Sequence, residues 1–236
     1  MCNRYVLASS VRAIEKELLA DFNAPFSPFY NAHPGEYYPV VLSEDAKKIQ
    51  FLRWGLIPYW SKWGNINYNY NAFVSDLVKH FAYRLPIRKK RCLVPANCYY
   101  CWIRASTGKT PHVVYIKDQR IFTMAGVYDS WRDKNSNRLI FSFSIIAGYS
   151  NKRIAKFSPV MPVIIPPSRR EKYLRESIQL QEVMRMLKPL ESDQFNLYPV
   201  SKKICNLTIN SKEQVMPVGE RLYREFTYQP KVYQDY

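Results

Sequence analysis

Two placements in this 236-residue chain put chemically able side chains where their spacing matters. The first is Met1-Cys2. Methionine aminopeptidases act when the second side chain is small, and Cys2 qualifies. Loss of Met1 would leave a residue with two nucleophiles on adjacent carbons. These are a thiol of ordinary pKa about 8.5 and an α-amine of about 7.7–8.0. Both are partly deprotonated near neutrality, so such an end reacts with aldehydes. The plainer alternative is that Cys2 is a small residue starting a first strand. The second placement is Cys98-Tyr99-Tyr100-Cys101, formally a C-x-x-C. No second pair and no His-x-x-x-His accompanies it. If 98–102 is extended, Cys98 and Cys101 point to opposite faces and cannot share a metal. No metal is expected. Without G-x-G-x-x-G or a P-loop, no nucleotide cofactor is expected either. Five cysteines, an odd number without framework spacing, read as reduced thiols.

Charge and aromatic residues indicate the kind of partner. Lys and Arg outnumber Asp and Glu by 35 to 19, a net charge of +16, which attracts polyanions such as nucleic acid or an acidic membrane. The densest basic pieces are RKKR at 88–91 and SRREKYLR at 168–175, the latter read as an exposed helix face. The stretch WGLIPYWSKWGNINYNYN sets tryptophans and tyrosines among basic residues, which suits stacking on unpaired bases. Trp54 reads as core, and Trp60 or Trp63 as surface. Asn65, Asn67, Asn69 and Asn71 share one face if that segment is extended. Asn71 could equally be a helix N-cap.

These residues need a scaffold, and the pattern describes one. Val11, Ile14, Leu18, Leu19 and Phe22 mark a helical face with Ser9 or Ser10 as N-cap. YYPVVL and IQFLRWGLI read as strands. The segment from Asn71 to Leu85 reads as a helix, with Leu77, Phe81 and Leu85 four apart. Strands follow at roughly 91–95, 98–103, 112–117, 121–129 and 139–147. The proline-punctuated 159–167 reads as an edge strand. Helices at about 167–175 and 179–187 and a strand near 197–200 complete the pattern. The fold class is α+β: a single domain over 1–236 with a large, mostly antiparallel, barrel-like sheet flanked by a few helices. A poorly structured tail is expected from about 222. The longest apolar run, 139–149, is too short to span a bilayer. The start shows no signal-peptide apolar region. The expectation is a cytoplasmic protein without membrane contact.

Seven of these pieces, in order, resemble one family, the SOS response-associated peptidases or abasic-site processing proteins. They are MCNRY at the start, RWGLIPYW at 53–60, NAFVSD at 71–76 and RCLVPANCYYCW at 91–102. MAGVYDSW at 124–131, MPVII at 161–165 and PVSKKICN at 199–206 follow. The resemblance implies the SRAP fold. It also implies an activity: loss of Met1, then covalent bonding of Cys2 to the ring-opened aldehyde of an abasic site in single-stranded DNA. The amine would form a Schiff base and the thiol would close a thiazolidine. The family name further implies a thiol-based autopeptidase that releases the residue before Cys2. The implied partner is single-stranded DNA with abasic sites, bound by a monomer that joins the nucleoid through that DNA.

Carried over residue by residue, the resemblance assigns Cys2 and Asn71 to the reactive centre. Cys101 stands where the family has its glutamate and Ser158 where it has its histidine. Asn3 replaces the usual glycine, and Phe73 and Val160 occupy arginine positions. Arg4, Trp60, Trp63, Arg84 and Arg91 are the residues expected to meet DNA. Loss of the usual proton carriers implies a divergent member that crosslinks slowly, because general acid–base help is worth about 10²–10⁴ in rate. None of the three histidines, His33, His80 and His112, obviously replaces the missing acid; His80 reads as a solvated or capping residue. Two other outcomes follow from the same residues. One is a non-catalytic single-strand-binding protein of this fold. The other is a Cys2–Cys101 disulfide that would block the aminothiol, which requires Cα atoms within about 7 Å.

Overall fold

The structure, a computed structural model, describes residues 3–64, 69–105 and 108–224. The N-terminal part contains β1 (Tyr5–Leu7), α1 (Val11–Leu18), β2 (Asp21–Phe22), β3 (Phe29–Ala32), β4 (Tyr37–Leu42) and β5 (Asp45–Trp54). The middle contains β6 (Asn71–Phe73), α2 (Pro86–Lys89), β7 (Arg91–Ala96), β8 (Cys98–Ala105), β9 (Gly108–Ile116), β10 (Phe122–Arg132) and β11 (Leu139–Tyr149). The last third contains β12 (Val160–Pro162), β13 (Ile164–Ile165), α3 (Pro167–Leu174), α4 (Leu180–Met186) and β14 (Phe195–Pro199), with short 3-10 turns around them.

The strands close into a barrel. β11 pairs β10, β10 pairs β7, β7 pairs β4 and β4 pairs β5, all antiparallel. The end of β5 then returns to β11 in parallel, with Arg53 opposite Ser142 and Trp54 opposite Phe143. At this seam the Trp54 and Phe143 rings stack 6.3 Å apart at 11°. The Trp54 indole N–H donates to the Tyr70 carbonyl at 2.8 Å. Trp54 is fully buried, as its pattern predicts. Gly126 lets the strands approach inside the barrel, because a Cβ there would lie 2.6 Å from the Cys92 sulfur.

A second sheet, ordered β14-β9-β8-β1-β3, lies against the barrel. Alternation along its strands divides two apolar layers. Tyr5, Leu7, Tyr99, Cys101 and Val114 join the main core, while Val6, Cys98, Tyr100 and Val113 pack with Ile204 and Val215 on the other side. Cys98 and Cys101 therefore do face opposite ways. Tyr5 locks β1 to the barrel, its ring 5.5 Å from Tyr38 and 5.3 Å from Trp54. The α+β, barrel-like architecture agrees with the sequence reading. So do the strands of the middle region and the helices at α3 and α4.

The expected helix from Asn71 to Leu85 is not formed. Asn71–Phe73 is β6, which pairs in parallel with Ile145–Ala147 of β11. Beyond it, bonds of mixed length make separate turns, such as Lys79 N–H to the Asp76 carbonyl and Arg84 N–H to the His80 carbonyl. Leu77 is buried, but Phe81 and Leu85 face solvent. An available edge on β11 outweighed a helical spacing of three apolar residues. Helix α1 is capped by Ser10, whose hydroxyl accepts the Ala13 N–H at 3.4 Å. It stops at Leu18, and Leu19 turns out to solvent in a left-handed conformation (φ 54°) instead of extending the apolar face.

Arg91 also differs from expectation. It is fully buried and donates to the carbonyls of Tyr173, Ile87, Arg88 and Arg175, tying α2 to the end of α3. Burial lowers its pKa, and the carbonyls stabilise the cation. No surface remains for a phosphate, so Arg91 is structural. Each orphaned buried carbonyl costs about 1–3 kcal/mol. Arg91→Ala should therefore destabilise the protein by about 3 kcal/mol or more, read as a lower urea midpoint at unchanged slope. Arg91→Lys should recover little, because an ammonium cannot span the same acceptors.

Candidate active site

Cys2 and Met1 lie outside the described residues, and so do Asn65 and Asn67. In the sequence Cys2 is joined directly to Asn3. Asn3 itself is fixed by the register of the second sheet. Tyr5 pairs Tyr99 and Val6 pairs Cys98, and the Tyr100 N–H donates to the Arg4 carbonyl at 3.0 Å. One step further, Asn3 runs beside Cys101. Asn3, Cys101, Trp102, Lys109, Ser158 and Val160 line one cavity of about 480 Å³. The structure thus brings together Cys101 and Ser158, which the resemblance places at the glutamate and histidine positions, next to the residue bonded to Cys2.

Cys101 is buried at 6% exposure on the barrel-facing side of β8. Ser158 ends a turn held by its N–H on the Ile154 carbonyl, and its hydroxyl donates to the Val160 carbonyl at 2.8 Å. A serine hydroxyl so placed can accept a hydrogen bond but does not titrate near neutrality. Lys109, at the start of β9, is the charged residue of this lining and offers a cation to a phosphate. Sequence reasoning missed it, because one lysine in a hairpin carries no signal.

His112, which sequence reasoning set aside with the other histidines, belongs beside this site. It lies directly across from Cys101 in the β8–β9 ladder. Such antiparallel partners share a face, with Cβ atoms about 4.5–5.5 Å apart. The Nδ1–H donates to the Thr110 carbonyl at 3.0 Å, because a carbonyl can only accept. Nε2 keeps its lone pair. Burial lowers the His112 pKa, so the ring stays neutral. Only strand register links these two residues, and register is not written in local spacing.

Asn71 sits at 5% exposure in β6, opposite Ile145 and outside the lining of this cavity. The Tyr83 hydroxyl donates to the Asn69 side chain at 3.1 Å and to the Asn71 carbonyl at 3.4 Å. Burial pushes the Tyr83 pKa up to about 12, so it remains a donor. Arg4 is tied to the Asn31 side chain at 2.9 Å and to the Ile204 carbonyl at 3.0 Å, and burial lowers its pKa.

Trp60 and Arg84 meet elsewhere. The segment from Gly55 to Tyr70 leaves the barrel seam and returns to it, pinned by the Gly55 N–H on the Phe143 carbonyl and the Ile145 N–H on the Tyr70 carbonyl. Tyr59 N–H donates to Asp129 and the Trp131 indole donates to the Ser61 carbonyl, both at 2.8 Å. With Tyr59, Phe81 and Arg88, Trp60 and Arg84 line an open cavity of about 740 Å³. The Arg84 guanidinium lies 4.4 Å above the Phe81 ring. Trp63 is 78% exposed and lines a different depression with Lys62, Trp131 and Lys134.

Among the described residues, no three His, Cys, Asp or Glu are grouped to hold a metal. Cys92 and Cys205 are free thiols, the first buried and the second exposed. No helix among the described residues is long and apolar enough to cross a membrane.

This closed barrel, its flanking sheet and the cavity lined by Asn3, Cys101 and Ser158 define a class. The chain belongs to the SOS response associated peptidase (SRAP) family, which matches residues 1–207. It is similar to the abasic site processing protein YoqW of Bacillus subtilis, with 28% identity over 222 residues, 91% of this chain and 99% of that one. The abasic site processing protein HMCES of Xenopus tropicalis is 28% identical over 224 residues, 80% of this chain and 65% of that one. A solved protein of Bacteroides thetaiotaomicron superposes with a TM-score of 0.86 at 26% identity, covering 92% of this chain and 100% of that one.

The neutral state of His112 has a measurable consequence. An unfolded histidine takes up a proton below about pH 6.5, and His112 in the fold resists it. The unfolded chain therefore binds more protons, and stability falls as pH drops through that value. Between pH 7.5 and 5, wild type should lose more unfolding free energy than His112→Gln, measured by urea unfolding at each pH. Equal losses would show that the fold does not hold His112 neutral.

Proposed function

We propose that this protein captures abasic sites in single-stranded DNA through Cys2 after loss of Met1. The α-amine adds to the ring-opened sugar aldehyde and water leaves, giving an imine. The thiol sulfur then adds to the imine carbon while the nitrogen takes up a proton, which closes a thiazolidine. The observation that carries this reading is the cavity in which Asn3, bonded to Cys2, meets Cys101 and Ser158. The relatives named as abasic site processing proteins support it over nearly the whole chain. Lys109 offers a charge for a flanking phosphate.

The cavity of Trp60, Phe81, Arg84 and Arg88 supplies aromatic faces and cations for the undamaged strand. The protein works as a cytoplasmic monomer that reaches the nucleoid through its DNA. Proton transfer falls to the Cys101 thiol and the neutral His112 across from it. Neither matches a carboxylate as an ionised base, so the capture is slow.

A second reading keeps the DNA and drops the covalent step. The aromatic and basic cavity favours it, because that cavity needs nothing from Cys2.

Intact mass and crosslinking separate the two. The purified protein should lack Met1 and form a heat-stable adduct with a uracil-glycosylase-treated single strand. Cys2→Ala should form none. A protein without Met1 that forms no adduct sinks the covalent reading. Trp60→Ala or Arg84→Ala should weaken binding of undamaged single strands by about 1–3 kcal/mol, measured by fluorescence anisotropy, in either case.

A further inference from the structure

A separate apolar cavity of about 440 Å³ abuts the reactive one, and Val160 lines both. Its walls come from β6, β11, β12 and the turn after α4: Phe73, Val74, Ala147, Leu187 and Pro189 together with Val160. Ala147 and Leu187 are buried in its floor. Tyr149, also in the lining, keeps 83% of its surface in water. Lys188 is the charged residue of the lining, and it is exposed at the rim.

We propose that this cavity receives the unpaired nucleobase next to the abasic residue. The inference rests on the capture reading above and names what the same site requires beside the aldehyde. Three features select the occupant. The walls are apolar and within the usual size range of ligand pockets, about 300–1,000 Å³, so they exclude a sugar or a phosphate as the inserted group. The exposed Tyr149 in the lining supplies an aromatic ring on which a flat group can stack, the usual mode of holding a base without reading it. Lys188 places a single cation at the rim, where a phosphodiester attached to the inserted base would pass. A flat apolar-faced group on an anionic chain meets all three. The shared wall at Val160 makes the inserted base an immediate neighbour of the reacting sugar. With so few polar groups in the lining, purines and pyrimidines should be accepted alike.

The test uses the full chain and single strands of equal length and charge. One set carries an abasic site flanked on both sides by base-free tetrahydrofuran residues. The other restores one natural base at a single flanking position. Adduct formation should be roughly tenfold faster with one adjacent base restored, as expected for one base–aromatic stack. Tyr149→Ala, which removes an exposed ring, should abolish that gain and leave the base-free rate unchanged. Equal rates for the two sets, or a gain that survives in Tyr149→Ala, would overturn the proposal.

Anisotropy with undamaged strands, with and without bases, gives a readout that needs no adduct. It is run in a Trp60→Ala background so that the other aromatic cavity does not contribute. A base preference that depends on Tyr149, with no adduct on any strand, would sink the capture reading and keep this pocket. A long-chain alkyl aldehyde that forms a Tyr149-dependent adduct faster than acetaldehyde, with no effect of flanking bases, would assign the cavity to a free apolar aldehyde and overturn the proposal.

Discussion

Strand β11 must be paired along both edges, and the candidate site follows from how that is done. On one edge it takes β10 and then β12. On the other it takes the end of β5 and, after a gap, β6. The gap is where the chain from Gly55 to Tyr70 leaves the barrel. Trp54 fills the seam with its ring on Phe143 and its N–H on Tyr70, so the departure and return points are fixed by one side chain. The excursion is then free to carry Tyr59, Trp60 and Trp63 into solvent without weakening the core. The same strand supplies Ala147 and Tyr149 to the apolar cavity and, through β12, positions Val160 between the two pockets.

The strong positive charge is a poor guide to which cations are available for contacts. Several cations that look available in the sequence are spent inside. Arg91 satisfies four carbonyls, and Arg170 pairs with Glu17 at 2.8 Å and bonds Thr123. Arg153 donates to the Phe195 carbonyl and lies 4.1 Å over the Tyr223 ring. A guanidinium offers five donors in a rigid fork and serves equally well to gather carbonyls or phosphates. Composition cannot distinguish those uses. Arg84 and Arg88, beside exposed rings, are among the cations the fold leaves outward.

Local patterning made the second sheet and most of the barrel legible, because alternation survives wherever a strand has one face in a core. It also separated Cys98 from Cys101 correctly, since a period of two puts residues three apart on opposite faces. It failed from Asn71 to Leu85. There, Leu77, Phe81 and Leu85 have helical spacing, yet backbone bonds to β11 claim Asn71–Phe73 first. Ordered motifs placed Cys101 and Ser158 near the chain start, and the fold brings them into one cavity with Asn3. Lys109 was missed and His112 set aside because only the β8–β9 register, a non-local quantity, sets them beside Cys101 and its cavity.

That register also makes a thiol at position 101 physically reasonable. The side chain is 6% exposed and points into the main core. An ionised carboxylate in that place would carry a desolvation penalty of several kcal/mol unless paired. The group across from it, His112, is itself held neutral by burial and cannot serve as a standing cation. A thiol beside a neutral imidazole asks for no buried charge at rest. Such a pair moves protons less readily than an ionised carboxylate. An aminothiol tolerates that loss better than most nucleophiles, because its amine and thiol are both partly deprotonated near neutral pH. The capture proposed for Cys2 therefore depends less on its neighbours as bases than on their holding the aldehyde within reach.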